Sequence, residues 1–194
     1  MVVRLDGTFM QKVLSINNMI KLKEILQEAK RDASLVKNFK ELLLMFPKEV
    51  RDKVMRLKCV PQNPKWHPEG NTLKHTILVV RRAIEHSNKD ADMIIAALFH
   101  DVGKYDTLGT NPKTGQPTAF GHEKVSAEEV EKYRDAIESL GGNVNRIKAI
   151  VKDHMRIKKY GEMRQKKKEQ MEAMEIFDDL KFFCNKLDKG GTDL

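Results

Sequence analysis

Seven consecutive apolar residues, Met93 to Phe99, run directly into His100 and Asp101. A helix over that run is apolar nearly all round, so it has no face for solvent and belongs at the centre of a core. It is far short of the about 20 residues that span a bilayer, and the chain holds no longer apolar run. A buried helix therefore carries an imidazole and a carboxylate to the edge of a core. Burying a charge there is costly unless a cation or hydrogen-bonding partner compensates it. Both groups are good ligands for first-row divalent metals.

Helical periodicity dominates the rest of the chain, and no convincing alternating strand is found. Leu14, Met19, Ile20, Leu22, Ile25 and Leu26 recur at helical spacing, with Asn17 or Asn18 able to cap. Leu35, Phe39, Leu42, Leu43 and Phe46 form a second stripe, closed by Pro47, and Val50, Val54, Met55 and Leu57 a third helix up to Cys59. Pro61, Pro64, Pro68 and Gly70 interrupt helix formation. Asn71 or Thr72 can cap a helix carrying Leu73, Ile77, Leu78, Val80, Ala83 and Ile84, and Asp90 opens the central one. That helix ends at Gly103 and leads into a loop, Tyr105 to Gly121, of a length more often functional than idle. Further helices are expected over Ser126 to Leu140, Val144 to Arg156, and from about Glu169 to Leu187. The expectation is an all-α, bundle-like fold in a single domain.

With 194 residues, 40 % apolar and 33 % charged, the chain is long enough to bury a real core. Cys59 and Cys184 have no nearby cysteine partner and read as two buried free thiols. No charged N-terminal region followed by an apolar one marks a secretory signal, so a cytoplasmic location away from membranes is expected. The formal net charge is +8, and between Arg146 and Lys168 ten basic residues face only Asp153 and Glu162 as acids. Such a concentration favours an anionic partner. Charge alone does not separate a nucleotide, a nucleic acid and a merely solvated helix face.

Of six histidines, four lie where one rim of a bundle can collect them. His75 is in the first turn of the helix before the central one, and His100 is at the end of the central helix. His122 follows the long loop, and His154 is near the end of its helix. Lys104 lies three residues after Asp101, so one helical turn brings its ammonium toward a phosphate oxygen or Asp101 itself. Arg156, two residues past His154, suits bidentate phosphate recognition. His67 is placed at the entrance, and His86 reads as an exposed helical residue.

At this point the chain resembles the HD superfamily of metal-dependent phosphohydrolases, and most closely the HD domain of bacterial tRNA CCA-adding enzymes. The matching stretches are HPEGNTLKHT (His67 to Thr76), ALFHDVGK (Ala97 to Lys104), FGHEKVSAEEVEKY (Phe120 to Tyr133), VKDHMR (Val151 to Arg156) and FFCNKLDKGG (Phe182 to Gly191). The resemblance implies an HD helical bundle over residues 66–191, with residues 1–65 adding N-terminal helices that complete the bundle or shield a homodimer face. It implies one divalent cation, Mn, Ni, Co, Fe, Zn or Mg, on His75, His100, Asp101 and Asp188. Asp178, Asp179 and Asp193 lie near Asp188, but the context Asn-Lys-Leu-Asp-Lys-Gly selects Asp188. His122 and His154 match positions that touch a second metal or the substrate phosphate. In this reading Asp101 orients or deprotonates a metal-bound water, and His122, His154, Lys104 and Arg156 hold the phosphate and assist the leaving group.

Only about 65 residues precede the first matching stretch, and no Gly-Ser motif with paired aspartates is found. The implied activities are thus hydrolytic, on nucleotides or 2′,3′-cyclic phosphates, rather than CCA addition. One alternative is a nuclease or RNA-end processor using the Arg146–Lys168 segment, although Tyr160 is the segment's only aromatic residue for stacking. The other is a non-catalytic module that keeps the HD scaffold.

Overall fold

The computed structural model describes residues 35–190. Helices α1 (Leu35–Leu44) and α2 (Lys48–Arg56) come first, and a short 3₁₀ turn, Leu57–Cys59, completes α2. They are followed by α3 (Thr72–His86) and α4 (Ala91–Phe99), then α5 (His122–Lys132), α6 (Arg134–Ser139) and α7 (Val144–Ile157). Last come α8 (Gln165–Glu172) and α9 (Phe177–Phe182), the latter running into a π turn, Phe183–Leu187. The fold is all-α, as the periodicity predicts. The helix expected around Leu14 to Leu26 lies outside the described residues.

Helix α4 is the hub. Every residue from Met93 to Phe99 is buried, and the helix is flanked by α3, α5 and α7. Asp90 caps it, accepting hydrogen bonds from the Asp92 and Met93 amides. Asn71 caps α3 and Asn143 caps α7 in the same way. Around this hub Phe39, Leu42, Leu43 and Phe46 of the N-terminal side join Val130, Ile147, Ile150, Val151, Leu180 and Phe183 in one core. The Phe46 ring meets Phe99 edge-on at 5.5 Å.

The structure corrects the sequence expectations at several points. The Tyr105–Gly121 loop carries a two-stranded antiparallel ribbon, β1 (Gly109–Thr110) with β2 (Pro117–Thr118), too short to leave an alternating pattern. The helix expected to begin at Ser126 begins at His122, and it breaks at Tyr133 into α5 and α6 rather than running to Leu140. The final stretch divides into α8, α9 and the π turn. Cys184 is a buried free thiol, but Cys59 is exposed. The proline-rich break is not helical, and it is pinned: Gln62 N donates to Gly70 O and Thr72 N to Val60 O. Among the described residues, no helix is long and apolar enough to cross a membrane.

The end of α4 is where the fold positions its chemistry. After His100 the chain tightens into a 3₁₀ turn, Val102–Lys104, which packs on α5. Gly103 stands here for close approach: a Cβ on it would lie 2.6 Å from His122 O and 2.9 Å from Ser126 N. Its amide donates to Ser126 Oγ at 3.0 Å. This contact seats the first turn of α5, and with it His122, against Asp101.

Candidate metal centre

His75, His100, Asp101, His122, His154 and Asp188, all buried, converge at one rim of the bundle. Their donor atoms form two overlapping trios, His75–His100–Asp101 and Asp101–His122–His154. Within each trio the ligand-type atoms lie within 4.8 Å of one another. Asp101 is shared: its Oδ2 lies 3.2 Å from His100 Nε2, and its Oδ1 lies 3.2 Å from His122 Nε2 and 4.0 Å from His154 Nε2. Asp188 enters through His75, whose Nε2 is 3.0 Å from Asp188 Oδ1.

The helices dictate which ring nitrogen faces inward. The Nδ1 atoms of His100, His122 and His154 each lie 2.6–2.8 Å from the backbone carbonyl three residues earlier, at Ala97, Ala119 and Val151. A carbonyl only accepts, so Nδ1 carries a proton, and the Nε2 atom of each ring faces the site. His122 Nε2 and His154 Nε2 oppose each other at 3.4 Å. Burial pushes His154 down to about 3, which keeps it neutral at physiological pH. His100 Nε2, Asp101 Oδ2 and Asp188 Oδ2 are buried without a hydrogen-bond partner. Lys104 Nζ and Lys158 Nζ each approach one of these two oxygens to 2.8 Å. Those contacts are charge pairs that hold both carboxylates ionised in the buried site. Imidazole Nε2 atoms and carboxylate oxygens gathered in one buried place are a donor set that suits a divalent cation.

The site is also held electrostatically. Burial alone would raise the Asp188 carboxyl, yet Lys158 and the hydrogen bond from His75 hold it well below the usual carboxylate range. At Asp101 burial is outweighed in the same way by His100, Lys104 and the hydrogen bond from His122. Burial opposes charge on His75 too, but the carboxylates of Asp188 and Glu69 on its two nitrogens raise it overall.

Several residues that position the centre are not apparent from motif reading. Glu69 Oε1 accepts from His75 Nδ1 at 2.7 Å, the carboxylate–histidine pairing that orients a metal-ligating ring. Hydrogen bonds from His75, its own backbone and His67 outweigh burial and bring Glu69 down to about 2. The π turn places Asp188: its amide bonds Phe183 O, five residues back, at 2.8 Å. One residue inserted in a turn rotates the succeeding side chains by about 100°. Arg82 Nη1 donates to Leu187 O at 3.1 Å and Lys189 O at 2.7 Å, clamping the backbone on both sides of Asp188. Gly190 packs on the entrance loop, where a Cβ would meet Trp66 O at 1.8 Å.

A cavity of about 280 Å³ opens above the centre, lined by Asp101, Lys104, His122, His154 and Asp188 together with Gln62, His67 and Lys158. Lys104 lies where its spacing places it, between Asp101 and Gln62 Oε1. Arg156 does not line this cavity. It pairs with Asp153 at 3.5 Å and borders a neighbouring groove with Lys159, Arg164 and Lys167. Helix geometry gives the reason, since a residue two past His154 points away whereas Lys158, four past, shares its face. The basic segment is also partly used within the fold, because Arg146 binds Asp90, Asp92 and Asp179, and Lys148 binds Glu131.

The HD domain family matches residues 72–181, more than half of the chain. A Multifunctional CCA protein of Thioalkalivibrio sulfidiphilus is 41 % identical over 87 residues, 45 % of this chain and 19 % of the relative. An A-adding tRNA nucleotidyltransferase of Deinococcus radiodurans is 40 % identical over 68 residues, 34 % of this chain and 16 % of the relative. A Multifunctional CCA protein of Pasteurella multocida is 37 % identical over 88 residues, 43 % of this chain and 19 % of the relative. The chain thus spans less than a fifth of the length of these curated relatives. No solved structure matches it. From its motifs, its helical architecture and this match, the chain belongs to the HD domain family, and through it to the superfamily of metal-dependent phosphohydrolases.

Proposed function

We propose that the chain hydrolyses phosphoesters, of nucleotides or 2′,3′-cyclic phosphates, with His75, His100, Asp101 and Asp188 holding one divalent cation. The observation that carries this reading is the convergence of Nε2 and carboxylate donors beneath a cavity edged by Lys104, Lys158 and Lys159. Bound there, the cation supplies a Lewis acid that activates water and neutralises phosphoryl oxygens. Asp101, ionised and shared between the trios, orients the attacking water. Lys104 and Lys158 donate to the phosphate oxygens, with Lys158 taking the part that sequence spacing gives to Arg156. His122 and His154 turn their Nε2 atoms to a second cation or, with a proton on Nε2, donate to the substrate phosphate.

The test is turnover by protein stripped of metal and reloaded with single divalent ions, using a phosphomonoester, a chromogenic phosphodiester and 2′,3′-cyclic AMP. Metal-restored activity that disappears in Asp101→Ala is expected, and bound-metal stoichiometry separates one cation from two. Stoichiometric metal with no turnover of any phosphoester would sink the hydrolase reading in favour of a binding module.

One observation favours a second reading, an RNA-end-processing hydrolase. Lys159 lines both the metal cavity and the neighbouring groove of about 860 Å³ that Arg156, Arg164 and Lys167 border. A phosphate backbone leaving the centre would meet these cations in turn, and two of the relatives above are named for CCA and one for tRNA. A KM for oligonucleotides that climbs steeply with salt, against a flat one for mononucleotides, selects this reading. Equal salt dependence rejects it.

A further inference from the structure

The two walls of the metal cavity differ in chemistry. One comprises Leu108 and the segment from Pro117 to Gly121. On it Phe120 is 91 % exposed, the most exposed large apolar side chain among the described residues. The ring is not on a slack loop tip: Pro117 and Thr118 pair with Thr110 and Gly109, and His122 N donates to Ala119 O at 3.3 Å. An ordered backbone thus presents a bare aromatic face at the cavity mouth, with Leu108 also exposed on that wall. Burial of that ring is forgone in the free protein, and a flat apolar ligand would recover it.

The other wall carries Gln62, only 9 % exposed. Its Oε1 accepts from Lys104 Nζ at 3.0 Å. An ammonium only donates, so this contact fixes the amide orientation and sends Nε2 elsewhere. Gln62 Nε2 is buried without a hydrogen-bond partner on a residue that lines the cavity. A buried unpaired donor is costly, and its backbone is tied down by the bond from Gln62 N to Gly70 O. The volume of about 280 Å³ lies at the lower edge of the roughly 300–1,000 Å³ of small-molecule sites. It suits a phosphate and sugar, with any larger group left at the mouth.

We infer that the cavity mouth is a nucleoside subsite, in which a nucleobase stacks on Phe120 while Gln62 Nε2 donates to an acceptor of the same nucleoside. An alkyl phosphate has no ring to stack on Phe120, so this residue sets the preference for nucleotides. The inference deepens the phosphoester reading and rests on it for turnover. Nucleoside binding is independent of catalysis.

The test uses the full chain and two probes, adenosine for binding and AMP against glycerol 2-phosphate for turnover. Wild-type protein is expected to bind adenosine, with saturation transfer to the base protons stronger than to the ribose. Phe120→Ala is expected to weaken adenosine at least about tenfold, the range of base stacking on an aromatic side chain, while Phe120→Trp retains it. Gln62→Met is expected to weaken it about three- to tenfold, as for a lost neutral hydrogen bond. The ratio of kcat/KM for AMP over glycerol 2-phosphate should fall with Phe120→Ala by the same factor as binding. An unchanged ratio and unchanged adenosine binding in Phe120→Ala would overturn the subsite while leaving the hydrolase intact. If no phosphoester is turned over, the phosphoester reading fails and adenosine decides alone. Binding lost in Phe120→Ala upholds the subsite, and no binding by the wild type overturns it.

Discussion

Glu69 shows how much of this centre depends on a residue outside the four proposed ligands. Its carboxylate holds His75 Nδ1 at 2.7 Å, which fixes the ring plane and leaves Nε2 to the site. Glu69→Gln is expected to reduce divalent-metal affinity about 10- to 100-fold, the usual cost of losing such an orienting partner. Competition with a fluorescent chelator measures it, and unaltered affinity would mean that packing alone orients His75. Lys158 and Arg156 form a natural contrast on one helix. Lys158 lies 2.8 Å from Asp188 Oδ2 and lines the cavity, whereas Arg156 lies outside it. Lys158→Ala is expected to lower kcat/KM for 2′,3′-cyclic AMP about 10- to 100-fold, as losing a charge-assisted phosphate contact would (roughly 1.5–3 kcal/mol). Arg156→Ala should stay within about twofold on that substrate. The reverse order would return Arg156 to the role its position in the sequence suggests.

Among the elements, the junction of α4 with α5 is the most constrained. Gly103→Ala would drive a methyl to within 2.6 Å of His122 O, a backbone atom with no freedom to yield. A loss of about 1–3 kcal/mol is expected from overpacking, and the shift of α5 should also withdraw His122 from Asp101. Urea denaturation reads the first effect and metal stoichiometry the second; a stable, fully loaded Gly103→Ala protein would refute the close-approach argument. On the outer face Glu131 ties α5 to α7, accepting from Lys148 at 2.8 Å and from Arg134. These two cations bring Glu131 from 4.5 down to about 2. Its folded pKa is depressed, so its contribution to stability is complete above pH 4.5 and disappears as the pH falls toward 2. The stability difference between wild type and Glu131→Gln should vanish across that window. A difference independent of pH would show that the pair contributes through packing rather than charge.

For the whole molecule, the proposed metal centre would tie the two ends of the core together, since its candidate donors come from α3, the end of α4, α5, α7 and the segment after α9. A cation bound to the folded state alone stabilises it by about 2.7 kcal/mol at a hundredfold excess over Kd. Chelation is therefore expected to lower Tm and reloading to restore it, with Asp188→Ala abolishing the difference. Identical Tm values with and without metal would argue that the donors are held by packing and ion pairs alone. The Arg146 cluster with Asp90, Asp92 and Asp179 stands apart from this effect. It explains why a basic segment that reads as one surface contributes only its later half to the groove.

Whatever depends on local periodicity or on residue type could be determined from the sequence. Met93 to Phe99 could only be a buried helix, and His75, His100, Asp101, His122 and His154 are the residues that converge. The start of α5 at His122 was hidden because Gly121 and His122 carry no apolar spacing, and the α5–α6 break because apolar residues continue through it. Asp188 could be singled out by its context, but its direction comes from a π turn, a backbone choice made by packing of Phe183 and Leu187 in the core. Gln62 and Arg82 became part of the site only through tertiary structure. Their roles rest on distances between segments up to 107 residues apart in the chain, and no local pattern encodes such separations. Periodicity specifies which face of a helix is buried, whereas the partner it meets is set by how the helices pack around α4.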